Sequence, residues 1–272
     1  MSPGALIIIP APLGDSGTAA VLPDAVLATV RSLERFIAED AKSARAFLKS
    51  VGMNQPLAQI ELHTLNEHTD VTQLPELLAP LLAGARIGLL SEAGYPAVAD
   101  PGAELIAAAH AHGVRVVPLV GPSALLLALA ASGLNGQRFC FHGYLPVQGH
   151  ARAAALMELE DRSRRDAATQ IFIETPYRNN QLLETLLRTC AAETLLCIAT
   201  DLTLAGESVR TQAVARWKAA VPDINRRPTV FLLQAQGSAL SVPTGKTSHA
   251  AMPPRSRPRS GARSARRGFP SE

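Results

Sequence analysis

Residues 86–117 read RIGLLSEAGYPAVADPGAELIAAAHAHGVRVV, and this stretch decides the fold class. Arg86–Leu90 is an aliphatic run of strand length. Ser91–Gly102 follows, punctuated by Gly94, Pro96, Pro101 and Gly102, as a loop is. Gly102–His112 has the length and composition of a helix, and Val114–Val117 is a second aliphatic run. Strand, helix and strand in that order form a βαβ unit, whose crossover makes the strands parallel.

The same alternation continues on both sides. Ala5–Ile9 is an unbroken aliphatic run closed by Pro10, which suits a buried strand. Helical spacing covers Leu22–Leu33, Lys42–Val51 and Val71–Ala83, with short strands at Arg35–Ala38 and Gln59–Leu62. This rhythm predicts an α/β domain over residues 1–119 with a mostly parallel sheet covered by helices. Residues 118–121 read as a hinge. Ser123–Ser132 then opens a second α/β domain over 120–240. Its strands are expected at Arg138–His142, Thr169–Ile173, Thr194–Ala199 and Thr229–Gln234, and its helices near Ala151–Arg165 and Asn180–Cys190. An added strand is expected at Ser208–Thr211, followed by a helix through Trp217. Fewer regular crossovers predict a mixed sheet here, with a ligand cleft between the two domains.

Composition narrows the function classes. The chain has 272 residues, 47% hydrophobic and 18% charged, which is enough for a large core and too apolar for a disordered chain. The apolar run at 125–131 falls far short of the roughly 20 residues of a membrane span. Residues 1–4 lack the basic start of a secretory signal. Cys140, Cys190 and Cys197 form no CxxC pair, which argues for a reducing compartment and against a disulfide or zinc scaffold, so a cytoplasmic location is expected. Aromatic residues are only 4%, which disfavours a base-stacking surface. Residues 243–272 carry seven Lys or Arg against Glu272 alone, a net of +6, so beneath the overall +3 the remaining residues sum to −3. By composition, 241–272 is expected to be a disordered basic tail.

In parallel sheets, ligands collect beyond the carboxyl ends of the strands. Residues 10–15 (PAPLGD), Glu39-Asp40, His63 with 66–68 (NEH), Ser91–Gly102 and 121–124 (GPSA) all fall at that edge. Neither GxGxxG nor GxxxxGK[ST] follows the first strand, and Pro10 and Pro12 remove amides that a phosphate cradle would use. No histidine spacing is diagnostic of a metal, and none is expected. No GxSxG elbow occurs, and Ser123 reads as a helix N-cap rather than a nucleophile. In the second half, Glu174 and Arg178 flank a Pro176 suited to a first helical turn, and Asp201-Leu202-Thr203 could supply a second wall of the cleft.

Ser91–Gly102 (SEAGYPAVADPG), 121–134 (GPSALLLALAASGL), 143–146 (GYLP) and 174–178 (ETPYR) lie in a characteristic order and spacing. Together they resemble the tetrapyrrole methylase superfamily of S-adenosylmethionine-dependent methyltransferases over roughly residues 4–235. Within it they are similar to the ribosomal RNA small-subunit methyltransferase I group, which 2′-O-methylates a cytidine. The resemblance implies two α/β domains, S-adenosylmethionine (SAM) in the cleft between them, and a homodimer. It places the cofactor against Leu13, against Tyr95, Ala97 and Val98, against Ser123 and Ala124, and against Thr175 and Tyr177. This agrees with the chemistry: the adenine and thioether favour a close apolar wall, and the amino-acid end needs backbone that Gly and Ala leave accessible.

Departures from that group fall on the acceptor side. Its Thr-Arg-His run is Ala41-Lys42-Ser43 here, and its His-Glu-His-Asn-Glu stretch is His63-Thr64-Leu65-Asn66-Glu67. Its Glu-Leu-Thr-Lys is Asp201-Leu202-Thr203-Leu204, and its next histidine is Gly206. Gly94-Tyr95-Pro96 nevertheless follows the ribosomal form, not the Gly-Asp-Pro of the tetrapyrrole branches. Three readings stand: methyl transfer to ribosomal RNA, methyl transfer to a small tetrapyrrole-like acceptor, or SAM binding without turnover. A hydroxyl acceptor requires a general base. The candidates are Asp40, His63, Glu67 and Glu92, with Glu67 and Asp40 preferred.

Overall fold

A computed structural model describes residues 4–66 and 68–235. Two five-stranded sheets lie within one compact unit. The readings made for Glu67 and for 241–272 lie outside the described residues.

The first sheet holds β1 (Ala5–Ile9), β2 (Arg35–Ala38), β3 (Glu61–Thr64), β4 (Arg86–Leu90) and β5 (Arg115–Pro118) in the order β3-β2-β4-β1-β5. Every pairing is parallel; Ile7 stands opposite Gly88 on one side and Val117 on the other. All five residues of β1 are buried, as a central strand covered on both faces requires.

Helices α1 (Thr18–Val21), α2 (Asp24–Arg31) and α3 (Ala41–Val51) cover the face carrying Ile7, Ile9 and Phe36. Helices α4 (Leu74–Leu82) and α5 (Ala103–Ala111) cover the face carrying Leu6, Ile8 and Ile37. The neighbours β1 and β4 therefore send their chains to opposite faces. Their carboxyl ends part to open a crevice, the topological switch point of an α/β sheet.

The second sheet is mixed, as expected. It holds β6 (Phe139–Tyr144), β7 (Thr169–Ile173), β8 (Leu195–Thr200), β9 (Ser208–Ala213) and β10 (Thr229–Gln234) in the order β6-β7-β10-β8-β9. Only β6–β7 is parallel. Helix α6 (Ala124–Ser132) packs on one face. Helices α7 (Gly149–Asp166), α8 (Asn179–Thr189) and α9 (Val214–Ala219) pack on the other, over Phe172 and Phe231, whose rings stack at 5.8 Å. Trp217 is buried there and donates its Nε1–H to the Leu196 carbonyl at 2.9 Å.

Most element ends fall within a few residues of the sequence reading, and two of the differences have a clear cause in turn chemistry. The helix expected over 22–33 starts only at Asp24, because Pro23 is extended and caps α2. The third strand starts at Glu61, not Gln59, because Leu57–Gln59 closes a 3₁₀ turn behind Pro56. That shift puts His63 inside the strand and not beyond it. No helix among the described residues is long and apolar enough to cross a membrane.

Candidate active site

A cleft of about 530 Å³ opens at the switch point of the first sheet and reaches the carboxyl ends of β7 and β8 in the second. Its size falls within the roughly 300–1,000 Å³ of small-molecule sites. Leu13, from the loop after β1, and Val98, from the loop after β4, form one wall; Ile173 and Leu202 belong to the other.

The loop after β4 is bent by backbone conformations that side chains disfavour. Gly94 and Gly102 have φ of 70° and 127°, and Ala97 and Ala99 have φ of 64° and 66°. An alanine in the left-handed region costs about 1–2 kcal/mol. The fold holds the loop in place through surrounding hydrogen bonds. Ala11 and Gly94 exchange backbone bonds of 2.8 and 3.1 Å, and the Ala97 amide donates to the Pro101 carbonyl at 3.2 Å. Asp201 and Thr203 on the opposite wall are also left-handed, at 50° and 68°. Such strain concentrates at functional sites. Ser123 opens α6 as its N-cap, accepting from the Leu126 amide at 3.4 Å, and this sets Ala124 and Leu125 on the cleft lining.

The lining is acidic. Glu39, Glu92, Asp100, Glu174 and Asp201 line the cleft, with no Lys, Arg or His among the described lining residues. Asp201 and Glu174 are neutralised from behind. Asp201 accepts from Arg227 Nε at 2.8 Å, and Glu174 Oε1 accepts from Arg178 at 2.7 and 3.0 Å and from the Thr175 amide at 2.7 Å. Glu174 is buried, and burial alone would raise its pKa. The Arg178 hydrogen bond, the Thr175 amide and the charges of Arg178 and Arg152 win, and hold the carboxyl below the ordinary range. Its Oε2 has no hydrogen-bond partner, the nearest cation being the buried Arg152 at 3.9 Å.

Asp100 behaves in the opposite way. Burial, reinforced by the charge of Glu92 and only partly offset by the Ser91 hydroxyl, pushes its pKa up to about 6. The Tyr144 phenol is also raised, by burial first and then by the charges of Asp100, Glu174 and Glu39.

Of the residues singled out in the sequence, the structure brings Leu13, Glu92, Tyr95, Val98, Ser123 and Ala124 together on the lining. Ala97 turns within the same loop without lining the cleft. Thr175 and Tyr177 alternate with the lining residues Glu174 and Pro176; the Tyr177 ring is exposed and faces the Arg226 guanidinium at 5.7 Å. Asp40 caps α3, accepting from the Ser43 amide at 2.7 Å and its hydroxyl at 2.8 Å, and these bonds lower its pKa. The same hydroxyl lies 3.4 Å from Glu92 Oε1, so Asp40 reaches the cleft only through Ser43. His63 stands in β3 at the sheet edge, bonded to Glu61 at 2.7 Å.

Among the ionisable lining residues, the sequence places Glu39, Glu174 and Asp201 near the cleft without a role, and it does not single out Asp100 or Tyr144 individually. Asp100 had a signal, since it ends the loop that supplies Tyr95 and Val98. Tyr144 and Glu174 lie in the 143–146 and 174–178 stretches that carry the resemblance, but neither residue type nor spacing gives them a role.

These groups suit an S-adenosyl donor. Apolar walls would accept the adenosine, the carboxylates would face its positive groups, and Glu174 Oε2 is a buried acceptor without a hydrogen bond.

Residues 5–216 match the family described as Tetrapyrrole (Corrin/Porphyrin) Methylases. The chain is 34% identical to the Ribosomal RNA small subunit methyltransferase I of Xylella fastidiosa (strain Temecula1) over 239 residues, 88% of this chain and 83% of that one. It is 33% identical to the protein of the same name from Escherichia coli O157:H7, covering 87% of this chain and 79% of that one. The crystal structure of the methyltransferase CobJ superposes with a TM-score of 0.56 at 19% identity, covering 86% of this chain and 95% of that one, a likeness of fold.

Proposed function

We propose, for a chain that belongs to the tetrapyrrole methylase family and is an S-adenosylmethionine-dependent methyltransferase, that the methyl acceptor is a ribose 2′-hydroxyl of ribosomal RNA. The observation that carries this reading is a cleft, walled by both sheets, in a chain similar over most of its length to ribosomal RNA methyltransferases. The bound sulfonium supplies a methyl group that is already activated. What remains for the protein is alignment and proton removal.

Alignment falls to the rigid loops. Leu13 and Val98 hold the donor's apolar body, Tyr95 fixes the loop that carries Val98, and Ser123 and Ala124 close the side nearest the second sheet. Thr175 and Tyr177 stand on either side of Pro176 at the same wall. Proton removal falls to a carboxylate of the loop after β4, Glu92 or Asp100, which would accept the hydroxyl proton as the acceptor oxygen bonds to the methyl carbon and the methyl–sulfur bond breaks, its electron pair staying on the sulfur of the departing thioether. Asp100, with its pKa raised to about 6, suits this role, since a base works best when its pKa approaches the working pH. Asp40 acts through Ser43 by positioning Glu92.

The same reading takes residues 1–119 and 120–240 as the two domains and the protein as a cytoplasmic homodimer. Exposed Leu126 and Leu127 on α6 and Phe139 on the edge strand β6 offer apolar surface for a second copy.

The test is transfer of labelled methyl from S-adenosylmethionine to small ribosomal subunits or their RNA, followed by digestion to nucleosides. A labelled 2′-O-methylnucleoside is expected. Label confined to a low-mass fraction would overturn the RNA assignment and favour a small acceptor.

A further inference from the structure

The charge on the cleft lining is one-sided, and its distribution is uneven. Asp201 and Glu174 have arginine partners. Glu92 and Asp100 have hydroxyls instead: Glu92 Oε1 lies 3.4 Å from Ser43 Oγ, and Ser91 steadies the ionised form of Asp100. Both sit on the loop after β4 and both line the cleft. Opposite them lies a second, independent sign of a cationic occupant. Glu174 lines the cleft, its side chain is 1% exposed, and its Oε2 accepts no hydrogen bond, the buried Arg152 guanidinium standing off at 3.9 Å. A buried carboxylate oxygen left unsatisfied is costly, and a ligand's N–H or positive charge would relieve the cost.

We infer that this cleft selects its ligand by charge, with Glu92 and Asp100 favouring the cationic methyl donor over the neutral thioether left after transfer. The inference rests on the proposed occupancy of the cleft and adds to it a specificity and a direction. The donor carries a sulfonium, an ammonium and a carboxylate; its product has lost the sulfonium charge. Everything else about the two molecules is nearly the same, so a neutral lining would hold them about equally. Carboxylates with hydroxyl partners but no arginine in a partly closed cavity attract the first more strongly, because charges there are screened less than in water. Product then leaves the site without needing to be displaced by new donor.

The experiment is calorimetric titration of the full chain with three ligands: S-adenosylmethionine, S-adenosylhomocysteine, and sinefungin, in which an ammonium replaces the sulfonium. The two cations are expected to bind roughly tenfold more tightly than S-adenosylhomocysteine. In Glu92→Gln and in Asp100→Asn that ratio should shrink, and in the double variant approach one, chiefly through weaker binding of the cations. Asp161→Asn, on the exposed side of α7 where Asp161 pairs with Arg164, should leave it unchanged. Circular dichroism of each single variant shows whether it is folded, and the ratio in the unaltered protein is a test that needs no variant. Equal or tighter binding of S-adenosylhomocysteine by the unaltered protein, or a ratio unmoved in folded variants, overturns the inference. Absence of binding by all three ligands instead overturns the assignment of the cleft to this donor.

Discussion

The Tyr95 hydroxyl accepts a hydrogen bond from the Gly121 amide at 2.9 Å and donates to the Leu119 carbonyl at 2.9 Å. One phenol thereby ties the loop after β4 to the segment that leads from the first sheet into α6 and the second. Tyr95 is also on the lining, so the tie and the ligand wall are the same side chain. Gly121 has no room to give: a Cβ there would lie 2.2 Å from Pro10 Cγ.

Tyr95→Phe should leave the ring in place and orphan the Gly121 amide and Leu119 carbonyl. The expected loss is about 2 kcal/mol of stability, with weaker donor binding because the walls are no longer held in register. Urea unfolding and calorimetry check the two effects. Unchanged unfolding with unchanged affinity would show that the tie does not hold the site together.

The fold was legible because its strands announce themselves. Ala5–Ile9, Arg35–Ala38, Arg86–Leu90, Thr169–Ile173 and Thr229–Gln234 lie where their aliphatic runs predict. The edges of elements were less legible where turn chemistry intervenes, as at Pro23 and Pro56. The site was legible on the Gly- and Pro-rich loops, where Leu13, Tyr95, Val98 and Ser123 gather. It was not legible where function depends on burial or on distance between elements. Asp100 owes its raised pKa to burial beside Glu92, and Asp40 stops short of the cleft because its carboxylate is used up on α3. Neither fact is carried by residue type or spacing.

The raised pKa of Asp100 has a definite sign. Its carboxyl is more easily kept protonated in the folded chain than in the unfolded one. Its contribution to stability is therefore fully present below about pH 4 and is lost as pH rises through about 6. Asp100→Asn removes that loss and should be more stable than the unaltered protein at pH 7.5, by about 1 kcal/mol once solvent exposure is allowed for, with no difference near pH 4. Affinity for the cationic donor should move the other way, rising between pH 5 and 7 in the unaltered protein as Asp100 ionises beside Glu92, Ser91 and Tyr144. In Asp100→Asn the rise should flatten. Thermal unfolding and titration at matched pH values supply both curves.

Glu174 has the opposite sign. Arg178 and the Thr175 amide hold its pKa below 4.5, so the stability it contributes is present above that value and is lost as pH falls through the folded pKa. Glu174→Gln keeps the shape but leaves buried Arg152 with only the carbonyls of Pro146 and Val147, at 3.1 and 2.6 Å. The variant should lose roughly 3 kcal/mol at pH 7, because a buried cation has been deprived of its counter-charge. The gap to the unaltered protein should narrow below about pH 4. Urea midpoints at pH 7 and pH 3.5 measure it; equal gaps at both values would mean that packing, not charge, is what Glu174 supplies.

An acidic cleft is a poor place to grip RNA, since a phosphate meeting Glu92 and Asp100 would be repelled. An RNA substrate must then be held by cations outside the lining while a single ribose is presented to the site. The chain concentrates such cations in residues 243–272, whose net +6 stands against −3 for the rest. A chain truncated after Val242 should therefore bind a ribosomal RNA fragment more weakly, with a shallower dependence of log affinity on log salt. The slope should fall by about 0.7–0.9 for each phosphate that is no longer neutralised. Its affinity for S-adenosylmethionine should be unaltered, because the cleft lies entirely in residues 13–230. Fluorescence anisotropy over a salt series, beside calorimetry, separates the two. If affinity and slope are both retained, the phosphate grip belongs to the folded surface, and the basic segment has no part in choosing the acceptor.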